Sequence, residues 1–141
     1  MKIKIKKLHP NAVIPSYAME GDAGLDLTAT ETMQVTETHI TYGTGLAFEI
    51  PEGYVGLVYP RSSIRKYDLR LTNSVGVIDS GYRGEIQATF ERIGRKLQNY
   101  GPGDRIAQII IMPYPQITLV ETEELSNSER LVGGFGSTNI W

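Results

Sequence analysis

An all-β fold, a sandwich or barrel of many short strands, is predicted by three features of this sequence. Period-two alternation begins at once, with Ile3 and Ile5 set against Lys2, Lys4 and Lys6. Short runs of β-branched and aromatic residues follow, each ended by Gly or Pro turn chemistry. Helical periodicity is almost absent.

The elements follow in order. The alternating N-terminus is a first strand, and "GDAGLDL" places Asp22 and Asp26 in a Gly-containing loop before another. "TGLAFEIPEGYVGLVYP", Thr44 to Pro60, predicts two strands paired as a hairpin around Pro-Glu-Gly. "SSIRKY", Ser62 to Tyr67, is the best helical window, one or two turns with a serine available as N-cap. "NSVGVIDSGYRGEIQATFERI", Asn73 to Ile93, predicts a second hairpin, with Val75, Val77 and Ile78 buried and Asp-Ser-Gly turning the chain. "DRIAQIIIMP" is a strand ended by Pro113, and "QITLVETEEL", Gln116 to Leu125, a last strand. The tail "SNSERLVGGFGSTNIW" has three glycines between residues 133 and 136, so it is expected to be flexible in isolation.

Composition narrows the function. The 141 residues suit one domain with a real core, and the apolar and charged fractions, 40% and 21%, are those of a soluble globular chain. A net charge of −2 advertises no surface for nucleic acid or anionic membrane. No apolar run is long enough to span a bilayer, and the basic N-terminus lacks a signal-peptide core. The absence of cysteine excludes disulfides, thiolate nucleophiles and cysteine-held zinc. The default compartment is the cytoplasm, or the host cytoplasm for a viral or phage source. His9 and His39 match no metal spacing, and no "GxSxG" elbow or "GxxxxGK[ST]" loop is present.

Several short stretches carry polar chemistry, each with a plain structural account beside it. Ser62, Ser63 and Arg61 in "PRSSIRKY" make an anion site if backbone N–H groups are free there, or a capped and solvated turn if not. Asp104 and Arg105 in "GPGDRIAQ" read as a surface ion pair, whereas Gln108 sits among "IAQIII" and needs partners or a polar pocket. Asp22 and Asp26 are turn acids or help to hold a hydrated cation. The glycine-rich tail can wrap phosphates with its backbone, and Phe135 can stack on a flat ring.

Taken together, "AGLDL", "PRSS", "NSVGVIDSGYRG", "GDRIAQ" and "RLVGGFGST" resemble, in order and spacing, the five motifs of the trimeric dUTP pyrophosphatases (dUTPases). The resemblance runs over nearly the whole chain. It implies a distorted jelly-roll β-barrel over residues 1–129 with one short helix, and a flexible C-terminal arm over 130–141 that completes a neighbouring subunit's active site in a homotrimer. It also implies hydrolysis of dUTP to dUMP and pyrophosphate, which limits uracil incorporation into DNA and supplies dUMP for thymidylate synthesis. No direct contact with nucleic acid or membrane is implied.

Carried over residue by residue, Asp79 activates a water that attacks the α-phosphorus. Main-chain groups of Gly76, Val77, Ile78 and Asp79, with the Asn73 side chain, read the uracil edge. Tyr82 packs on the deoxyribose, Gln87 borders the base, and Phe135 stacks over it. Arg61, Ser62, Ser63, Gln108 and Arg130 hold the phosphates, while Gly136, Ser137 and Thr138 cover the γ-phosphate. Mg²⁺ spans the triphosphate, and Asp26 acts on it only through water.

The chain departs from the family pattern at Gly81, where an acid is usual, and at Leu131 and Asn139, which replace glycines. Two rival readings follow. dCTP deaminases share the fold but need a glutamate five residues past Gly84, where this chain has Thr89. A nucleotide-responsive switch, whose regulatory protein partner senses the bound arm, is the other, and the intact Asp79 argues against a purely binding role.

Overall fold

Ten strands and one five-residue 3-10 helix account for the regular structure of the computed structural model, which describes residues 1–96 and 98–136. The strands are β1 (Lys4–Lys7), β2 (Leu25–Thr28), β3 (Glu31–Val35), β4 (His39–Gly43), β5 (Leu46–Glu49), β6 (Tyr54–Pro60), β7 (Leu69–Leu71), β8 (Gly76–Ile78), β9 (Gln87–Arg92) and β10 (Arg105–Pro113). The short helix spans Ser62–Lys66, between β6 and β7. Two four-stranded antiparallel sheets, ordered β2-β10-β6-β8 and β3-β4-β9-β7, are joined by a two-stranded β1-β5 ladder. The all-β expectation holds; among the described residues the ladders stay separate rather than closing into a continuous barrel.

Both predicted hairpins are corrected. A tight turn does follow β5, with the Tyr54 amide donating to Pro51 at 3.2 Å. Yet β5 pairs with β1, whereas β6 lies between β10 and β8. The seven-residue run of β6 is long and largely apolar, so it takes a central place with a partner on each side. Similarly, β8 pairs with β6 while β9 lies between β4 and β7. Residues 79–86 therefore cross from one sheet to the other instead of making a hairpin turn.

Three local expectations also change. Val77 is 61% exposed rather than buried, since β8 is an edge strand and turns that side chain outward. No serine caps the helix: its N-cap is Arg61, extended at φ −84° and ψ 153°, with no side-chain cap bond. The Ser62 and Ser63 hydroxyls thus escape capping duty. No strand forms over Gln116–Leu125, and Ile117, Leu119, Val120 and Leu125 all stand exposed rather than packed on a sheet. After the Tyr114 amide donates to Gly53 at 2.9 Å, the hydrogen bonds of residues 115–136 are local among the described residues. None of the described helices is long and apolar enough to cross a membrane.

The core lies between the sheets. Leu27, Ile106 and Ile109 from one sheet meet Ile40, Tyr42 and Phe90 from the other, all essentially excluded from water. Aromatic rings mark its polar end: Tyr42 meets Phe90 edge-on at 5.8 Å and Tyr100 at 6.1 Å, the T-shaped geometry that ring quadrupoles favour. The Tyr42 hydroxyl donates to the Tyr100 carbonyl at 2.8 Å, which ties β4 to the loop before β10.

Burial pushes the Tyr42 phenol up from 10.0 to about 12. The folded state therefore keeps a proton that the unfolded chain releases above pH 10, and stability from this group falls as pH rises from 10 towards 12. Tyr42→Phe removes that dependence and strands the Tyr100 carbonyl. We expect it to lower unfolding free energy by about 1 kcal/mol at pH 8, a deficit that shrinks between pH 10 and 12 in urea titrations.

Candidate active site

Strand β10 gathers the first group of predicted residues. It runs between β2 and β6 in a register that sets Gln108 opposite Asp26 on one side and Tyr59 on the other. The Gln108 amide donates to the Pro60 carbonyl at 3.0 Å, so it reaches the start of "PRSS" although 48 residues separate the two. Close approach depends on a neighbour without a side chain. A Cβ on Gly24 would lie 2.3 Å from Gln108 Oε1.

Asp26 organises the cations around this amide. Its Oδ1 accepts from Arg61 Nε at 3.1 Å and its Oδ2 from Arg105 Nη1 at 3.3 Å. Arg61 Nη1 also donates to Ser63 Oγ at 3.2 Å and to the Arg105 carbonyl at 3.4 Å. The expected Asp104–Arg105 ion pair is replaced by this arrangement: Asp104 instead accepts from the Gly101 amide at 2.7 Å, closing the turn before β10. A polar hollow of about 440 Å³ opens here, lined by Arg61, Ser63, Lys66, Tyr100, Asp104 and Arg105 among others. Three cations against one carboxylate in its lining favour an anion. Burial raises the Tyr100 phenol, and the Ser63 hydroxyl beside it works in the opposite direction. Ser62, exposed at the first helical position, stands at the edge of this region.

A second hollow, of about 200 Å³, sits where the chain crosses between the sheets. Val77, Ile78, Asp79, Tyr82, Glu85, Ile86 and Gln87 line it. Its wall is held by local bonds: the Tyr82 amide donates to the Asp79 carbonyl at 3.0 Å, and Arg83 Nη1 to the Ser80 carbonyl at 2.6 Å. Tyr82 folds back over Gly84, with its hydroxyl donating to the Glu85 carbonyl at 2.9 Å. A side chain at Gly84 would meet that ring at 2.5–3.0 Å, so the fold-back needs glycine. Asp79 is exposed at the mouth. Asn73 lies beside the buried Gly76, at the other end of β8 from Asp79.

The two hollows share no residue. Ile78 is opposite Gly56 on β6, five residues before Arg61, which at strand rise is roughly 16 Å. One chain thus brings Arg61, Ser63, Gln108 and Asp26 together, and separately Val77, Ile78, Asp79, Tyr82 and Gln87, without uniting the groups.

The dUTPase family model matches residues 10–139. The chain belongs to the dUTPase family.

A deoxyuridine 5'-triphosphate nucleotidohydrolase of Hydrogenobaculum sp. is 41% identical, aligned over 99% of each chain. Among solved structures, a variant dUTPase of Staphylococcus bacteriophage 80alpha with dUpNHpp superposes with TM-score 0.85 at 28% identity, covering 97% of this chain and 98% of that one. A variant dUTPase from phage phi11 of S. aureus, described with a structural Mg(II) ion, gives TM-score 0.78 at 25% identity, over 90% of this chain and all of that one.

Among the described residues, the arm contributes to the lining of neither hollow. Arg130 Nε donates to its own loop at the Gly133 carbonyl, at 2.6 Å, and Phe135 is fully exposed ahead of Gly136. Ser137 and Thr138 lie outside the described residues, as does Asn139. Sequence reasoning missed Arg105 and Lys66 as part of the cationic lining. Both sit within quoted motif stretches, and the signal was an excess of cations over the one fixed carboxylate. Tyr100, three residues ahead of "GDRIAQ", carried no signal.

Gly24→Ala tests the construction of this centre. We expect a folded protein, destabilised by about 1 kcal/mol at most, with Gln108 displaced from Pro60. A shifted Gln108 side-chain amide resonance in ¹⁵N NMR spectra checks it.

Proposed function

We propose that the protein hydrolyses dUTP to dUMP and pyrophosphate, at sites that combine the hollow between β8 and β9 of one subunit with the cationic hollow of another in a homotrimer. The observation that carries this reading is the hollow at an edge strand with Asp79 exposed at its mouth, while Glu85, the other carboxylate of the lining, accepts from the Gly45 amide at 3.1 Å. Because β8 has a partner on one side only, every second residue turns its N–H and C=O outward. Those groups around Gly76 to Asp79, with the Asn73 amide, would replace adenine in reading the uracil edge. Cytosine would leave its reversed donor and acceptor unpaired, a mismatch that discriminates strongly. The narrow hollow rejects a thymine methyl by contact, and the Tyr82 ring excludes a 2′-hydroxyl.

Arg61, Ser62, Ser63 and Gln108 hold the phosphate chain in the cationic hollow, and Lys66 and Arg105 add to its positive field. Asp79 orients a water for in-line attack on the α-phosphorus and accepts its proton. Pyrophosphate leaves into the cationic hollow, where its charge is already matched. Arg130, Gly136, Ser137 and Thr138 close over the γ-phosphate, with Phe135 stacked on the base and Gln87 at its border. An arm with only local hydrogen bonds suits a lid that is open until triphosphate arrives.

Magnesium fits this centre as an ion that arrives on the triphosphate. No three His, Asp or Glu side chains gather to hold a metal among the described residues, and both Asp26 oxygens already face arginines. Magnesium commonly keeps its waters and shares substrate phosphates, so Asp26 would contact it only through water. Once bound, Mg²⁺ neutralises phosphate charge and fixes the chain's shape.

The same geometry supports assembly. Two hollows roughly 16 Å apart on one chain cannot serve one nucleotide at close quarters, but symmetry can bring each against its complement on a neighbour. The exposed apolar row Ile117, Leu119, Val120 and Leu125 is surface of the kind that such an assembly covers. Deamination of dCTP is not favoured: Thr89, at the position a deaminase glutamate would take, shares a 2.9 Å hydrogen bond with Thr41 across the sheet.

Product analysis by chromatography, with dUTP, dCTP, dTTP and UTP in Mg²⁺, tests the activity. Turnover of dUTP alone to dUMP and pyrophosphate is expected. dUTP binding without turnover would instead favour a nucleotide-responsive switch acting on a regulatory partner. Asp79→Asn should abolish turnover and keep dUTP affinity; loss of both would remove the role assigned to that carboxylate. Truncation after Glu129 should cut the rate far more than the melting temperature, and a large fall in melting temperature would make the arm a structural brace.

A further inference from the structure

Tyr100 is outside every motif, yet the fold invests heavily in its position. Its ring is clamped by Tyr67 at 4.3 Å, Phe90 at 5.6 Å and Tyr42 at 6.1 Å between centroids. Its carbonyl is held by the Tyr42 hydroxyl. The residue is 4% exposed. Among the described residues, its hydroxyl is the buried side-chain polar atom left without a hydrogen-bond partner. An unpaired buried donor weakens the fold, and phenylalanine would pack equally well without it. Tyr100 lines the cationic hollow together with Ser63, whose hydroxyl acts on the buried phenol.

Ser63 Oγ is occupied here as the acceptor of Arg61 Nη1, at 3.2 Å. A hydroxyl has one proton to donate and two lone pairs to accept with. A phosphate oxygen entering the hollow competes for the same Arg61 proton and is the stronger acceptor, being charged. Once Arg61 Nη1 turns to it, Ser63 Oγ loses that donor and can take one from Tyr100 instead.

We propose that Tyr100 is a positioning residue for the phosphate site, donating its O–H to Ser63 Oγ when substrate draws Arg61 away, so that the Ser63 proton points at a phosphate oxygen. The relay runs Tyr100 to Ser63 to phosphate, and a hydroxyl that accepts a hydrogen bond becomes a better donor. The unpaired phenol is then a defect of the free enzyme that the complex repairs, and the repair adds to affinity because it is gained only on binding. The inference rests on Arg61 and Ser63 being phosphate ligands.

Tyr100→Phe in the full-length protein tests it. The melting temperature should hold or rise, since an unpaired hydroxyl is removed while the ring stays. KM for dUTP should rise about fivefold, the effect of one ordinary hydrogen bond, with kcat within about twofold. Ser63→Ala should raise KM as well, and Tyr100→Phe added to it should do nothing more. An unchanged KM in Tyr100→Phe, or an equal loss in both backgrounds, overturns the relay. If Ser63→Ala alone leaves KM unchanged, the phosphate role of Ser63 fails and the relay with it; if only Tyr100→Phe is silent, the relay alone is lost.

Discussion

The register of β10 is the constraint on which the polar end of the molecule depends. Flanked by β2 and β6, this strand cannot slip by one residue without turning Ile106 and Ile109 out of the core. Core burial thereby fixes where Gln108 and Arg105 stand, and with them the arginine pair on Asp26. That carboxylate is only about one-fifth exposed and faces two guanidinium groups, so removing it would leave cations facing each other without a counter-charge. Hydrophobic packing and the placement of charge are a single problem here, solved by one strand.

The same sheet explains why the two hollows stand apart on one chain. β6 is the shared spine: β8 pairs with its middle, Gly56–Val58, running so that Ile78 and Asp79 lie towards its start, and the helix bearing Ser62 and Ser63 follows its end. A strand is straight at this length, so groups at its two ends stay apart. The crossing loop between β8 and β9 adds the second ingredient. Because it leaves one sheet for the other, it cannot be a tight turn, and the excursion opens a hollow whose rim carries Asp79.

Legibility in the sequence followed burial on one face. Alternation revealed β1, and the apolar runs revealed β5, β6 and β10, because each has at least one partner ladder and a packed side. β3 escaped because all five of its residues are exposed, and β7 because it is only three residues long. β4 carries buried Ile40 and Tyr42 at period two, but it is short and rich in polar residues, and its place between β3 and β9 is set by pairing with distant segments. Pairing was less legible than existence. Adjacent strands joined by Pro-Glu-Gly suggest a hairpin, whereas the choice of partner is made by which faces the core can accept. For the site, the motif residues were legible through their order, while the double engagement of Asp26 and the unpaired Tyr100 hydroxyl arise from contacts between distant segments.

The departures from the family pattern differ in physical weight. Gly81 has open space where a side chain would go and keeps an ordinary backbone φ, and the turn around it is held by the Asp79 and Ser80 carbonyls. Nothing in this loop needs glycine there, and nothing would exclude an acid. Leu131 is different: it adopts φ +50° where the family has glycine, a conformation that costs an L-residue about 1–2 kcal/mol. The turn that holds it is local, through Arg130 to Gly133 and the Leu131 amide to Ser128 Oγ at 3.1 Å. The strain is carried by a turn whose bonds, among the described residues, are all local. Neither bond uses an atom of the Leu131 side chain, so glycine at this position would keep both and shed the cost.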